Sequence, residues 1–248
     1  DASLARWLRH YYARLRGRRQ TYVAVSRQNR AVISRMFGVA EDEIALVPNA
    51  CPLIERDPGA RRQVRHLLAE RHGVPEGSTI LLSVARLSEQ KGHRHLVRIL
   101  PDLLAAHPEC HLLWVGEGEC REELEAALRR QGADRHVTLL GQRPRSEVAG
   151  YLAAADLFVF PTEYEGQPFS LMEAMAAGLP VVSSDASGIG EILEHQREGL
   201  LHRAGDADDL LSQLLVALGD MDQMRRMAAE ARGRMARYTR EDMLADTL

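Results

Sequence analysis

Phe160-Pro161-Thr162-Glu163-Tyr164-Glu165-Gly166-Gln167-Pro168-Phe169-Ser170-Leu171-Met172-Glu173-Ala174-Met175-Ala176-Ala177-Gly178-Leu179-Pro180-Val181-Val182 decides the fold of this chain. The apolar run Leu157 to Phe160 leads into it and reads as a buried strand ending at Pro161. Phe169 to Ala177 has helical spacing, with a proline just ahead of its first turn and Gly178 where a left-handed cap belongs. Val181-Val182 reads as the next strand. The unit is therefore strand, loop, helix, strand, with an acidic loop aimed at a helix N-terminus.

That geometry makes an anion site, because the first-turn amides of Ser170 and Leu171 lack intrahelical acceptors and sit at the positive end of the helix dipole. Glu165 and Glu173, seven residues apart by the intervening count, flank it. Carboxylates repel phosphate, so the partners expected for them are hydroxyls of sugar rings attached to that phosphate, which points to a nucleotide-sugar.

The long form of the motif, Glu165-Gly166-Gln167-Pro168 with Glu173 and then Ala174-Met175-Ala176-Ala177-Gly178-Leu179-Pro180-Val181-Val182, resembles the E-x7-E signature of retaining glycosyltransferases of family 4, which have the GT-B fold. A second motif fits. After the apolar strand Thr79 to Val84 comes Ala85-Arg86-Leu87-Ser88-Glu89-Gln90-Lys91-Gly92, similar to the family's GR-x4-KG pattern with Ala85 in place of glycine. Of 32 basic side chains in the chain, Lys91 is the single lysine, and it falls inside this motif. Two cations and helix amides would stabilise the charge that builds on a departing diphosphate, so no metal is required and no cofactor is expected. The alternative is two surface cations in a loop.

Around these motifs strand and helix alternate: helices over about 58–72, 92–106, 119–131 and 145–154, strands at His111 to Val115 and Val137 to Leu140, a helix near Gly190 to Glu194, a strand at Leu200-Leu201, and helices over about 207–218 and 220–236. Alternation throughout specifies an α/β fold with a doubly wound, Rossmann-like parallel sheet, whose ligands sit beyond the C-terminal strand ends at a switch in strand order. Ahead of it, Thr21 to Val25 reads as a strand, Ser26 as the cap of a helix ending at Gly38, and Ile44 to Val47 as a strand. The resemblance runs from about Val23 to Leu218. It implies that residues 1–48 are a remnant of an N-terminal, acceptor-side domain and its crossing, that 49–236 form the nucleotide-sugar-binding domain, and that a helix over 237–248 packs back toward the N-terminal domain.

By the same resemblance Arg86 and Lys91 hold the diphosphate, Glu173 the ribose, and Glu165 with the backbone of Gly166, Gln167, Pro168 and Phe169 the donor sugar, while Ser170 and Leu171 bind phosphate. Arg86, Lys91 and Glu165 are the catalytic candidates. Gly116, in a Gly116-Glu117-Gly118 loop, and Arg143, in a Gly141-Gln142-Arg143-Pro144 loop, resemble further donor contacts; the second loop is equally an ordinary strand-to-helix turn. Gly188-Ile189-Gly190 precedes Glu191, which matches a frequent family glutamate. The implied activity is retaining transfer of a sugar from a nucleoside diphosphate, with UDP-sugar the expected donor, to a hydroxyl of a glycan or lipid-linked acceptor, by front-face attack without a covalent glutamate intermediate. Two other readings stand beside it: a non-catalytic nucleotide-sugar-binding module and a GT-B sugar-nucleotide epimerase. An NAD enzyme of the epimerase type is disfavoured, because no GxGxxG follows the first strand.

Composition narrows the partners. A net charge of -3 argues against nucleic acid. Cys51, Cys110 and Cys120 have no metal-ligand spacing and fit a reducing compartment. No apolar run is long enough to span a bilayer, so a cytoplasmic place is expected. Residues 4–19 form a basic amphipathic pattern with Trp7, Tyr11 and Tyr12 on one face; it fits peripheral contact with an anionic membrane, or packing on a domain outside this chain. Asp206-Ala207-Asp208 reads as a helix cap rather than a metal motif.

Overall fold

The computed structural model describes residues 21–245. The pattern at 4–19 lies outside the described residues. A small layer comes first, formed by β1 (Tyr22–Ala24), α1 (Arg27–Phe37) and β2 (Ile44–Leu46), with β1 and β2 parallel. Ser26 caps α1 by accepting from the Asn29 amide, and Gly38 ends it at φ 66°.

The main domain carries α2 (Pro58–His72), β3 (Thr79–Val84), α3 (His93–Ala106), β4 (Cys110–Val115), α4 (Arg121–Gln131), β5 (Val137–Gly141), α5 (Arg145–Ala154), β6 (Leu157–Phe160), α6 (Phe169–Ala176), β7 (Val181–Ser184), β8 (Leu200–His202), α7 (Ala207–Gly219), α8 (Met221–Met235) and α9 (Arg240–Ala245). Its six strands run in the order β5-β4-β3-β6-β7-β8, all parallel. The order reverses between β3 and β6, so the crevice at their C-terminal ends is the place such a sheet offers a ligand.

Both faces are covered, which explains the continuous apolar strands. Ile80, Leu82, Leu113, Val115, Phe158 and Phe160 pack with α5 and α6 on one face, and Leu81, Leu112, Trp114 and Val159 with α3, α4 and α7 on the other. Each large side chain so buried contributes about 1.5–3 kcal/mol against exposure. α6 is buried along most of its length, Leu171 to Ala176 inclusive, so its orientation is fixed by the core rather than by the loop before it.

Two expectations change. The segment after Gly188 is not a helix over 190–194 but one 3-10 turn at Ile189–Glu191, because Gly188 enters it at φ 86° and the chain leaves toward β8 within a few residues. Toward the C-terminus the helix opens at Arg240 rather than at 237, with α9 described over Arg240–Ala245; Tyr238, ahead of it, accepts the Cys51 amide at 2.9 Å and so holds this end against the segment that follows β2. Among the described residues no helix is long and apolar enough to cross a membrane.

Candidate functional site

The loop after β3 and the loop after β6 meet at the sheet's switch point and are laced together. The Gln90 carbonyl accepts the Glu163 amide at 2.8 Å, and the Gln90 side chain donates to the Tyr164 carbonyl at 2.7 Å. Gly92 must be glycine: its φ is 70°, and a Cβ there would stand 2.0 Å from the Pro161 carbonyl. The approach that forbids a side chain at 92 brings Lys91 onto Glu165. The two form an ion pair, their side chains 20% and 10% exposed, with the ammonium 5.8 Å above the Phe160 ring centroid.

Thr162 completes this half of the site. Its hydroxyl is 3.0 Å from Glu165 Oε1, 3.1 Å from the Gln90 carbonyl and 3.3 Å from the Tyr164 carbonyl. One proton serves three acceptors, so the threonine ties the carboxylate to both loops. Ser184 on β7 in turn donates to the Thr162 carbonyl at 2.6 Å. Glu163 points the other way and is held by Arg94 at 2.6 Å and His95 at 2.9 Å. Partial burial pushes its pKa up, but the His95 hydrogen bond and the Arg94 charge outweigh it and keep the carboxyl below the usual range.

Below Lys91 lies a buried layer. His93 opens α3, is 2% exposed, sits 3.2 Å from Ser83 Oγ and meets the Trp114 ring edge-on at 5.0 Å between centroids. Burial, reinforced by the Lys91 charge, lowers its pKa to about 4, so the ring is neutral at physiological pH.

On the far side of α6 the second glutamate has a different setting. Glu173 is buried at 8% and pairs with Arg145 at 2.7 Å, while the arginine side chain is 70% exposed. Both line a cavity of about 920 Å³ bounded by Ala50 to Ile54, α5, Phe169 and the chain from Met235 to Met243. Cys51 is in its wall; burial, with Glu173 nearby, raises that thiol to about 11. Cys110, buried inside the sheet, rises to about 12. All three cysteines are free.

The structure brings Lys91, Glu165 and the start of α6 to one sheet edge. The N-cap of α6, Pro168, offers no side-chain acceptor to the first-turn amides. Gln167 turns inward, its side-chain oxygen accepting the Asn49 amide and its carbonyl accepting Asn49 Nδ2 at 3.0 Å; its side chain is thus engaged with the segment after β2. Phe169 is half exposed at 50%. Arg86 leaves β3 on the neighbouring side and pairs with Glu119 at 3.0 Å in the loop before α4, both largely exposed. Gly116 lies against that strand end, where a Cβ would fall 1.9 Å from the Ala85 carbonyl; Ala85 itself has no positive φ and needs no glycine.

Arg143 is not with this cluster. Its Nε donates to the Leu140 carbonyl at 2.8 Å, and it lines a separate groove between α2 and α5 with His72 and Tyr151. Arg145, two residues on, is the arginine that reaches a motif glutamate. No sequence signal singles it out, because α1, α4 and α9 also open on arginine.

Residues 64–234 match the family model described as glycosyl transferases group 1. The amylovoran biosynthesis glycosyltransferase AmsK of Erwinia amylovora is 38% identical over 149 residues, covering 57% of this chain and 37% of the relative. The D-inositol 3-phosphate glycosyltransferase of Nocardia farcinica is 30% identical over 219 residues, 84% of this chain and 47% of the relative. The chain thus spans less than half the length of these curated relatives. Among solved structures, Anabaena HepE in complex with UDP and glucose superposes with a TM-score of 0.82 at 22% identity, covering 96% of this chain and 64% of that one, which shows the shared fold.

Proposed function

This chain belongs to the glycosyl transferases group 1 family, and from that premise we propose that it is the donor-binding part of a retaining, family 4 type glycosyltransferase that takes a nucleoside diphosphate sugar. The observation that carries the reading is the meeting of Lys91, Glu165 and the α6 N-terminus at the β3/β6 switch point. The diphosphate lies against the first-turn amides of α6 with Lys91 alongside, and Arg86 leaves Glu119 to join it. Glu165 accepts from hydroxyls of the donor sugar. The ribose exchanges with Arg145 for Glu173, and the nucleoside extends into the adjoining cavity. The related HepE structure holds UDP and glucose, which supports a UDP-sugar as donor.

In this reading the two cations and the helix amides neutralise charge growing on the leaving phosphate, with no metal called for. The acceptor hydroxyl, on a glycan or lipid-linked glycan, attacks from the face the diphosphate leaves, and its proton passes to a leaving phosphate oxygen. Retention follows, with no carboxylate becoming a covalent nucleophile. Residues 49–236 form the donor domain, 1–48 the end of an acceptor-side domain, and 237–248 the returning segment. Residues 4–19 would add peripheral contact with an anionic membrane at the cytoplasmic face; binding to anionic vesicles that salt abolishes would support it, and none at low salt would exclude it.

Calorimetric titration of UDP-, GDP- and ADP-sugars into the chain and into Lys91→Ala tests the proposal. One nucleotide series should bind the parent and bind the variant at least ~30-fold more weakly, the scale of a lost partly buried charge contact. Equal binding by both proteins, or none by the parent, would overturn it.

A further inference from the structure

The first turn of α1 holds no acidic residue, yet its amides are satisfied. Ser26 Oγ accepts the Asn29 amide at 3.0 Å. The Arg27 and Gln28 amides each donate, at 2.9 Å, to one oxygen of Glu191. Glu191 lies more than 160 residues later, on the 3-10 turn after β7. A carboxylate that takes two amide protons at the positive end of a helix is a strong cap, and here it is supplied from another layer of the molecule.

One further contact runs between the same two layers: the Gly188 amide donates to Gln28 Oε1 at 2.9 Å. Asn49, on the segment that leaves β2, makes its pair of bonds with Gln167. Gly188 packs so closely on the motif loop that a Cβ would fall 1.8 Å from the Gly166 carbonyl, and Ser187 donates to the Glu165 carbonyl at 3.3 Å. Val25 reaches the same glycine, with its Cγ2 3.4 Å from where a Gly166 Cβ would be. The backbone of Glu165 to Gln167 is thus gripped from one side by the turn that Glu191 latches, and from the other by the layer that it latches to. Arg234 secures the turn from beneath through the Glu191 carbonyl at 2.8 Å.

We propose that Glu191 and Gln28 are positioning residues, forming a cross-layer latch that docks the β1–α1–β2 layer on the main domain and fixes the loop at 165–167 in the shape that receives the donor's sugar. The second half of this rests on the donor-binding reading above. The latch discriminates between parts of the ligand: it touches the loop opposite the sugar but not the α6 amides assigned to phosphate. Donor sugar recognition is therefore coupled to docking of the layer, whereas nucleotide binding is not.

The test has two arms on the whole chain, with Glu191→Ala, Glu191→Gln and Gln28→Ala. Residue-resolved amide exchange needs no ligand: the Arg27 and Gln28 amides should exchange at least ~10-fold faster in Glu191→Ala, by a smaller factor in Glu191→Gln, and β3 and β6 should be unaffected. Unchanged exchange in Glu191→Ala would overturn the latch. In calorimetry with UDP and UDP-glucose, Glu191→Ala and Gln28→Ala should hold UDP within about twofold of the parent while losing most of the extra affinity that the glucose adds. Equal weakening of both ligands in both variants would reduce these residues to structural supports and overturn their positioning role. Should the parent bind neither ligand, the donor reading and with it the positioning half fail, while the exchange result still decides the latch. Gln28→Ala leaves the cap itself intact, so it reports even if Glu191→Ala unfolds.

Discussion

The two motif glutamates sit at either end of α6's opening turns and are held in opposite ways. Glu165 is bound to a lysine that is itself mostly covered, to a buried threonine and, through these, to two laced loops. Glu173 is bound to one arginine whose side chain is 70% exposed. The first arrangement is preorganised: breaking it leaves a partly buried charge unpaired. The second is open on one side: the exposed guanidinium regains water when it lets go, while the Glu173 carboxylate, its side chain 11% exposed, then needs a new partner. Within one short motif, one carboxylate is built to stay and the other is built to change partners.

The sharpest way to break this contrast is to remove one cation from each half. Lys91→Ala should destabilise the chain by about 3 kcal/mol, since Glu165 then keeps its burial without a counter-charge; urea denaturation measures this. Acid reaches the same half through His93, and the sheet elsewhere through His111, which sits against Thr138. His93 and His111 are both held neutral, with pKa values lowered to about 4 chiefly by burial. The unfolded chain therefore takes up protons below about pH 6.5 that the folded one refuses. Stability should accordingly fall as pH drops from 7 toward 5, by up to about 3 kcal/mol for the two rings together, and level off below about pH 4 as far as these groups are concerned. A flat profile between pH 7 and 5 would contradict it.

Smaller effects sharpen the comparison. Thr162→Val keeps the shape but strips the proton shared among three acceptors, for an expected cost of about 1.5 kcal/mol in the same denaturation series. Glu173→Ala should change stability by less than about 0.5 kcal/mol, yet weaken the nucleotide about tenfold in calorimetry if the ribose takes Arg145's place. Arg145→Ala should cost about 1 kcal/mol in stability, because it leaves the covered Glu173 carboxylate without its counter-charge, and should leave nucleotide affinity equal or better, because the ribose no longer has to displace a partner.

Much of this was legible in the chain. Apolar runs of four to six residues marked β3, β4 and β6, and Ser26 with Gly38 bracketed α1, because capping and burial are written in neighbouring residues. Lys91, alone of its kind, and Glu165 stood out by motif and do meet. What sequence did not carry is pairing across the topology. Nothing near Glu173 marks Arg145, nothing near Arg27 marks Glu191, and Gln167 reads as a loop residue until Asn49 is seen beside it. Arg143 drew attention from a loop pattern but its guanidinium folds back on Leu140. Such partners are selected by which strand ends the sheet order brings together, and that order emerges only once the whole domain has packed.

A crystal structure of this chain with UDP bound would show the donor site itself. Phosphate oxygens should lie within about 3 Å of Lys91 Nζ and of the Ser170 or Leu171 amides, with the ribose hydroxyls on Glu173 and Arg145 swung away. UDP seated elsewhere, for instance in the groove between α2 and α5, with the Lys91 ammonium untouched by phosphate, would contradict that placement.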